Sequence, residues 1–215
     1  MILHDFCVAD DYSVLSTPKL DLENIGSDIN SKLDRILTKS NWLSNNCGKL
    51  AGILASSDDY ELNQSLDTKT VETFEKTHGK LPDDYKAVLL AYGWNKFPFY
   101  GVRDFIIKPL NLNYTHPIGP NDPLSKTSHA KAPVWYRKDP ANALLVSDFG
   151  CGIYYCVLLT GPEAGNMWCL DVANTGEAHP IFPLNAEIER VKTVDWLEYW
   201  LDLEISTFKT IGILS

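Results

Sequence analysis

The most reactive group that this sequence offers is a thiol held between two glycines, in Gly150-Cys151-Gly152. A catalytic cysteine needs a nearby base that takes its proton, and His179 lies downstream as the candidate base. This pair defines a cysteine-dependent enzyme as one hypothesis. The competing interpretation is the more common fate of a free cysteine, which is burial as a small hydrophobic residue.

Metal-binding side chains show no spacing that is typical of a chelating site. The five cysteines are scattered and include no CxxC pair, so we predict reduced, mostly buried thiols without a disulfide framework or a zinc site. On strands, Cys151 and Cys156 would point to opposite faces, whereas Cys156 and Cys169 are candidate cross-strand neighbours. The histidines also lack close spacing: His116, His129 and His179. The sequence therefore predicts no metal site.

Common enzyme motifs are missing from the sequence, which contains no GxGxxG, Walker-type phosphate loop, HExxH or GxSxG. Nucleotide, zinc-protease and serine-hydrolase chemistries thus lack their usual sequence carriers. The net charge of −9 and the pI of about 5.0 argue against nucleic acid or an anionic membrane as the partner, because both would repel the chain. A basic partner would be attracted, although acidity also serves solubility alone.

The hydropathy pattern bears on the location of the protein. No apolar run approaches the roughly 20 residues that a transmembrane helix needs. The first residues also lack a basic region followed by an apolar stretch, which a secretory signal would show. We therefore expect a soluble, cytoplasmic protein that binds neither a membrane nor nucleic acid.

Aromatic and acidic side chains in the expected loops are the candidates for binding a protein partner. Rigid aromatic residues in loops commonly form the hot spots of interfaces. Loops and strand ends display side chains, whereas the apolar stripes of helices bury them. Some of these aromatic residues can instead seal the core. The predicted partner-binding residues are Trp94, Phe99, Tyr100, Asp104, Asp139 and Asp148.

Apolar residues at helical spacing predict three helices in the first part of the chain and one near its end. Capping residues and glycines indicate where these helices begin and end. The four segments are Ile25 to Lys39 with Ser27 or Asp28 as the cap, Asp67 to Gly79, Pro82 to Gly93, and Val194 to Leu203 with Thr193 as the cap.

Between the third and the last helix the pattern changes to short apolar runs separated by Pro, Gly and Asn, which indicates strands. These runs are residues 105–107, 143–146, 153–160 and 167–170. The proline-bearing stretch 109–140 is too long for a simple connection, so we expect a surface excursion there. Helices first, a twisted antiparallel sheet next and a helix last predict an α+β fold. We divide the chain into a partly helical N-terminal extension, 1–60, and an α+β domain, 61–215.

The order of several short motifs resembles that of the SUKH superfamily, also called the Smi/Knr type. Its members begin with a helix, a Gly-x-Leu-Pro step and another helix, as in Gly79-Lys80-Leu81-Pro82. The resemblance continues through Asp148-Phe149-Gly150, Thr160-Gly161 and Gly165-Asn166-Met167-Trp168 to a terminal Trp-x-x-x-Trp-Leu at Trp196, and covers Asp67 to Glu204. The chain departs from it at Tyr92-Gly93-Trp94, where many members carry Asn-Gly, and the region before Asp67 matches no part of the family.

The resemblance implies a central antiparallel sheet of about six strands with helices, no cofactor, and a protein-binding role without enzymatic activity. In bacteria that role is usually the neutralisation of a cognate polymorphic toxin by a stoichiometric immunity protein. If the toxin acts on nucleic acid, its site is expected to be basic, and carboxylates of this chain would imitate phosphates. The alternative is a scaffold or regulatory module of the Smi/Knr type, and the cysteine enzyme with Cys151 and His179 is the third hypothesis.

Overall fold

The chain folds into four helices and a five-stranded antiparallel sheet in the part that the computed structural model describes, residues 28–47, 60–62, 64–94, 104–113, 138–161, 163–172, 177–181 and 191–210. The helices are α1 (Ile29–Cys47), α2 (Thr68–His78), α3 (Asp83–Tyr92) and α4 (Thr193–Thr210). The strands are β1 (Ile107–Asn113), β2 (Lys138–Gly150), β3 (Ile153–Leu158), β4 (Met167–Asp171) and β5 (Glu177–Pro180). The predicted α+β class is confirmed.

Capping explains where the first helices begin. The carboxylate of Asp28 accepts hydrogen bonds from the backbone amides of Asn30 and Ser31 at 3.0 and 3.1 Å, and Asp67 caps α2 in the same way. α1 runs on to Cys47, well beyond the predicted end at Lys39. The reason is that its buried face continues through Ser40, whose hydroxyl bonds to a backbone carbonyl and interrupts the apolar pattern.

The sheet has the order β1-β2-β3-β4-β5, and each strand pairs antiparallel with its neighbours. Both ends of the stretch 109–140 belong to β1 and β2, so the expected surface excursion is wrong there, and residues 114–137 lie outside the described part. The sequence pattern does not reveal β5, because the strand has only four residues and three of them, Glu177, Ala178 and Pro180, are of types depleted in strands.

The sheet curls until its two edge strands approach each other, with Cα atoms of β1 and β5 within 8 Å. The outer face packs on the helices and contributes side chains such as Leu144, Tyr155 and Met167 to the main core. The inner face holds a second core with many small side chains, which a tightly curled sheet requires. Its members are Ala141, Ala143, Leu145, Cys156, Leu158, Trp168, Leu170 and Ala178.

A carboxylate from a distant helix caps α4. Asp84, at the start of α3, is buried and accepts hydrogen bonds from the backbone amides of Thr193 and Val194 at 2.6 and 3.4 Å. Burial raises the pKa of Asp84, while these amides act in the opposite direction. The prediction that Thr193 supplies the cap is wrong, because its hydroxyl donates to the sulfur of Met167 instead.

Three cations on α1 face three carboxylates on α4 in a ladder of ion pairs. Lys32 bonds to Asp195 at 2.5 Å, and Lys39 bonds to Asp202 at 2.7 Å. Between them, Glu198 accepts two hydrogen bonds from the guanidinium of Arg35 and one from Lys39. The pairs Lys32–Asp195, Arg35–Glu198 and Lys39–Asp202 are each 163 residues apart in the chain, so the two helices run parallel. Two parallel helices place the like ends of their dipoles side by side, which is unfavourable. The opposite charges on the facing sides of α1 and α4 offset this repulsion.

Glu198 is the centre of the ladder, with a side chain only 9% exposed. Burial works to raise its pKa, but the hydrogen bonds and charges of Arg35 and Lys39 outweigh burial, and the pKa lies below its usual value. The carboxylate is therefore ionised and paired at neutral pH.

Among the described helices, none is long and apolar enough to cross a membrane.

The glycines that end α2 and α3 provide a matched test of backbone packing. Gly79 and Gly93 both have positive φ, at 92° and 65°, but an added Cβ meets nothing at Gly79 and collides with the backbone carbonyl of Gln64 at Gly93. We expect Gly79→Ala to lower the free energy of unfolding by about 1–2 kcal/mol through backbone strain alone. Gly93→Ala should cost clearly more in urea denaturation, and equal losses would contradict this packing.

Replacement of Glu198 should reveal the ladder through its pH dependence. At pH 7 we expect Glu198→Gln to lower the free energy of unfolding by about 2 kcal/mol, between the values for exposed and buried pairs. Because the folded-state pKa of Glu198 is lowered, its contribution is present above the unfolded pKa and is lost as the pH falls through the folded pKa. The difference between variant and native protein should thus shrink in urea titrations below about pH 4.

The control for this measurement is Glu72→Gln, a substitution on the exposed surface of α2. Its effect on the free energy of unfolding should stay within about 0.5 kcal/mol. A Glu198→Gln difference that is the same at pH 7 and at pH 3.5 would show that the ladder does not depend on the charge of Glu198.

Candidate functional site

One end of the curled sheet gathers several of the predicted binding residues. We call it the hairpin end. It comprises the start of β1 with Asp104 to Ile107, the turn from Asp148 to Ile153 between β2 and β3, the end of β4 at Asp171 and Val172, and the start of β5 at Glu177. At the opposite end, the far end, β2 begins at Lys138 and β4 at Met167.

The turn at the hairpin end has an unusual backbone. Gly150, Cys151 and Gly152 all have positive φ, at 92°, 53° and 80°. Cys151 and Gly152 are the two residues between the paired ends of β2 and β3, where a type I′ hairpin requires positive φ at both positions. The carboxylate of Asp148 accepts a hydrogen bond of 2.7 Å from the amide of Gly150 and so braces the turn.

Cross-strand pairing identifies the side chains on the inner face at the hairpin end. Asp148 pairs with Tyr154, Tyr154 with Leu170, and Leu170 with Ala178, and paired residues share a face. Leu170 and Ala178 belong to the inner core, so Asp148 and Tyr154 lie on the inner face too. They form its outermost described row.

Two exposed hydrophobic side chains flank this row. Val172 follows Leu170 by two residues, so strand alternation places both on the same face of the sheet. The amide of Val172 donates a hydrogen bond of 2.9 Å to the carbonyl of Gly152. Ile106 lies opposite Leu145, whose amide bonds to its carbonyl. In the described part of the chain only Leu37, Ile106 and Val172 are large hydrophobic residues that are exposed, at 40%, 40% and 57%. We call Ile106, Asp148, Tyr154 and Val172 the inner lip.

Four acidic positions lie at the hairpin end. Asp104 is exposed just before β1, and Asp148 is half-buried in the turn. Asp171 and Glu177 are cross-strand partners where β4 ends and β5 begins. Of these positions, Asp104 and Asp148 have side chains that the structure describes, and their negative charge attracts basic partners.

The structure separates the predicted partner-binding residues. Asp104 and Asp148 both lie at the hairpin end. Trp94 is half-buried, and its ring packs edge-on against Phe105 at 4.8 Å on the helix side of the sheet, where it seals the core. Asp139 pairs with Leu112 near the far end, nine residues and about 30 Å along β2 from Asp148. Phe99 and Tyr100 lie outside the described residues.

Sequence reasoning missed the apolar part of the inner lip. The signal that could have revealed it is strand alternation, which places every second residue on the same face. One face of β3 carries Tyr154, Cys156 and Leu158, and one face at β4 carries Trp168, Leu170 and Val172. Both strands read as continuous apolar runs, because both faces of the sheet are buried along most of their length. The exposed members could therefore not be told apart from the buried ones.

The cysteines differ from one another in the structure. Cys151 is an exposed free thiol, and burial raises the pKa of the free thiol of Cys156 to about 12. Cys169 is disulfide-bonded, so the prediction of reduced thiols is wrong for this residue. Cys156 and Cys169 are not cross-strand neighbours, because Cys156 pairs with Trp168 and lies in the inner core while Cys169 lies in the main core.

The register also separates the thiol from its candidate base. His179 pairs with Cys169, which pairs with Tyr155, whereas Cys151 lies four residues before Tyr155 in the turn. Two strand spacings and four residues correspond to roughly 16 Å between the backbones, too far for a hydrogen bond between the side chains. Within the described residues, no three His, Cys, Asp or Glu side chains are grouped as metal ligands.

Comparison of the chain with protein-family models, with curated proteins and with solved structures finds no match. The resemblance to the SUKH superfamily therefore depends on the order and spacing of its motifs.

Thiol labelling should distinguish the two free cysteines. We expect iodoacetamide at pH 8 to modify Cys151 in the folded protein, because it is exposed at the tip of the hairpin. Cys156 should react only after unfolding, since burial holds its thiol in the protonated form. Peptide mass spectrometry with and without urea checks both residues, and modification of Cys156 in the native protein would contradict the packing of the inner core.

Proposed function

We propose that this chain is a protein-binding inhibitor of the immunity type, resembling the SUKH superfamily, which neutralises a cognate toxin by a stoichiometric complex. The observation that carries the proposal is the hairpin end, because the acidic Asp104 and Asp148 and the exposed hydrophobic Ile106 and Val172 all lie at this end of the sheet. Interfaces commonly combine an apolar centre with charged surroundings, and this end of the sheet offers both on ordered strands.

The mechanism is occlusion of the toxin's active site or of the surface beside it. A toxin that acts on nucleic acid has a basic site, and a negative surface raises its rate of association with such a site. The net charge of −9 adds to this attraction over a longer range. Nanomolar affinity, equivalent to about −12 kcal/mol, is the range expected for such a complex. No catalytic step on the part of this chain is required.

The proposed location is the cytoplasm, where an immunity protein would protect the cell that makes the toxin. The disulfide at Cys169 is more typical of oxidising compartments. Cell fractionation, together with alkylation of free thiols before lysis, tests both points. Recovery of the chain in the cytoplasmic fraction with Cys169 alkylated would support the proposed location.

Co-expression with the neighbouring toxin candidate tests the function. The C-terminal region of the adjacent large gene product is expressed alone and with this chain, and growth and co-purification are measured. We expect growth arrest that is relieved through a stable complex in a ratio of one to one. No toxicity, or relief without a complex, would contradict the proposal and favour the scaffold alternative, which predicts an endogenous partner instead.

Variants at the two ends of the sheet make this test specific. Asp104→Asn combined with Val172→Ser should weaken both rescue and complex formation, because both residues lie at the hairpin end and are exposed. Asp139→Asn, near the far end, removes the same single charge and should leave both unchanged. Weaker rescue by Asp139→Asn alone would place the interface at the far end.

A further inference from the structure

We infer that the inner lip receives an apolar anchor side chain of a protein partner, flanked by a lysine or arginine that faces Asp104 or Asp148. The inference deepens the proposed function and rests on it, because it names the chemistry of the partner's contact surface. It starts from the apolar side chains of the lip, and the charges around them then select the occupant.

The inner lip is the exposed edge of a filled interior. Leu145, which lies opposite Ile106, and Leu170, which lies opposite Tyr154, are exposed by only 3% and 6%, and Trp168 by 0%. In the part of the chain that the structure describes, these side chains fill the inside of the curled sheet, so we expect a ligand at this end to contact the exposed side chains of the lip. A protein partner can contact the surface around the lip as well as the lip itself, whereas a small molecule needs a concave pocket. The lip therefore favours a protein over a small molecule.

The charge selects among the possible protein partners. A second copy of this chain would bring its own acidic hairpin end against Asp104 and Asp148, and like charges in a desolvated interface are unfavourable. A basic surface meets the same carboxylates with opposite charge. Arg is the strongest candidate for the flanking residue, because its guanidinium binds a carboxylate through two parallel hydrogen bonds.

The two parts of the contact have different kinetic roles. Asp104 is exposed at the edge, so it contributes mainly to the rate of association and to its dependence on salt. Val172 is 57% exposed before binding and would be covered by the anchor, so it contributes mainly to the rate of dissociation. Loss of the charge of Asp104 should thus change the rate of association, and loss of the apolar contact of Val172 should change the rate of dissociation.

The experiment uses two synthetic peptides as probes and the full-length chain labelled with ¹⁵N. One peptide alternates Lys with Leu, and its matched control alternates Lys with Ser and has the same charge. In low salt we expect the Lys/Leu peptide to shift the amide signals of Ile106, Tyr154 and Val172, and the Lys/Ser peptide to bind at least about fivefold more weakly, equivalent to roughly 1 kcal/mol.

Three single variants locate the contact. Val172→Ser should weaken the Lys/Leu peptide at least about fivefold, and Asp104→Asn should lower the salt dependence of binding. Leu37→Ser is the matched control, because Leu37 is equally an exposed hydrophobic residue but lies on α1. Shifts spread over the whole surface, equal binding of both peptides, or an equal effect of Leu37→Ser would overturn the inference. Self-association of the chain that Val172→Ser abolishes would also overturn it.

The outcomes separate this inference from the proposed function. If Ile106→Ser and Val172→Ser leave rescue from the toxin intact, the inner lip is not the contact, and the immunity function still stands. If the Lys/Leu peptide binds the lip as expected but no toxin is neutralised, the chemistry of the surface is supported and the immunity function is not.

Discussion

The approach of β1 to β5 is the constraint on which the rest of this structure depends. In a sheet of only five strands the two edge strands approach each other only when the sheet curls strongly. The inner face then has little space, so many of its side chains have to be small. Ala141, Ala143 and Ala178 meet that requirement, and Trp168 fills the remaining space. The curl also brings strand ends that are distant in the sequence to one place. The hairpin end exists because of it.

The helices cover the outer face and are joined to one another by buried charges. Asp84 of α3 caps α4, and Glu198 of α4 pairs with Arg35 and Lys39 of α1. Each of these carboxylates loses contact with water, and hydrogen bonds from amides or cations replace the water. The helix α1 is therefore held to the same body as the sheet by paired charges as well as by the buried side chain of Ile36.

The two ends of the sheet have different chemistry, although both consist of short turns and strand ends. At the hairpin end a braced turn with positive φ at three successive residues displays Cys151, and the same end carries the exposed Ile106 and Val172 together with Asp104 and Asp148. A rigid strand scaffold keeps these groups in place without an ordering cost on binding. This combination suits recognition of another protein, and the distance from Cys151 to His179 gives no support to a thiol–imidazole pair.

The sequence by itself determined the α+β class, the caps at Asp28 and Asp67 and the ends of α2 and α3, because capping and periodicity act over a few residues. Only the tertiary structure decided the cap on α4, the extent of α1 and the pairing of Asp148 with Tyr154. These features join residues that are far apart in the chain, and one sequence holds no local signal of such pairing. An exposed residue in an apolar strand looks like a buried one until the edge of the sheet is known.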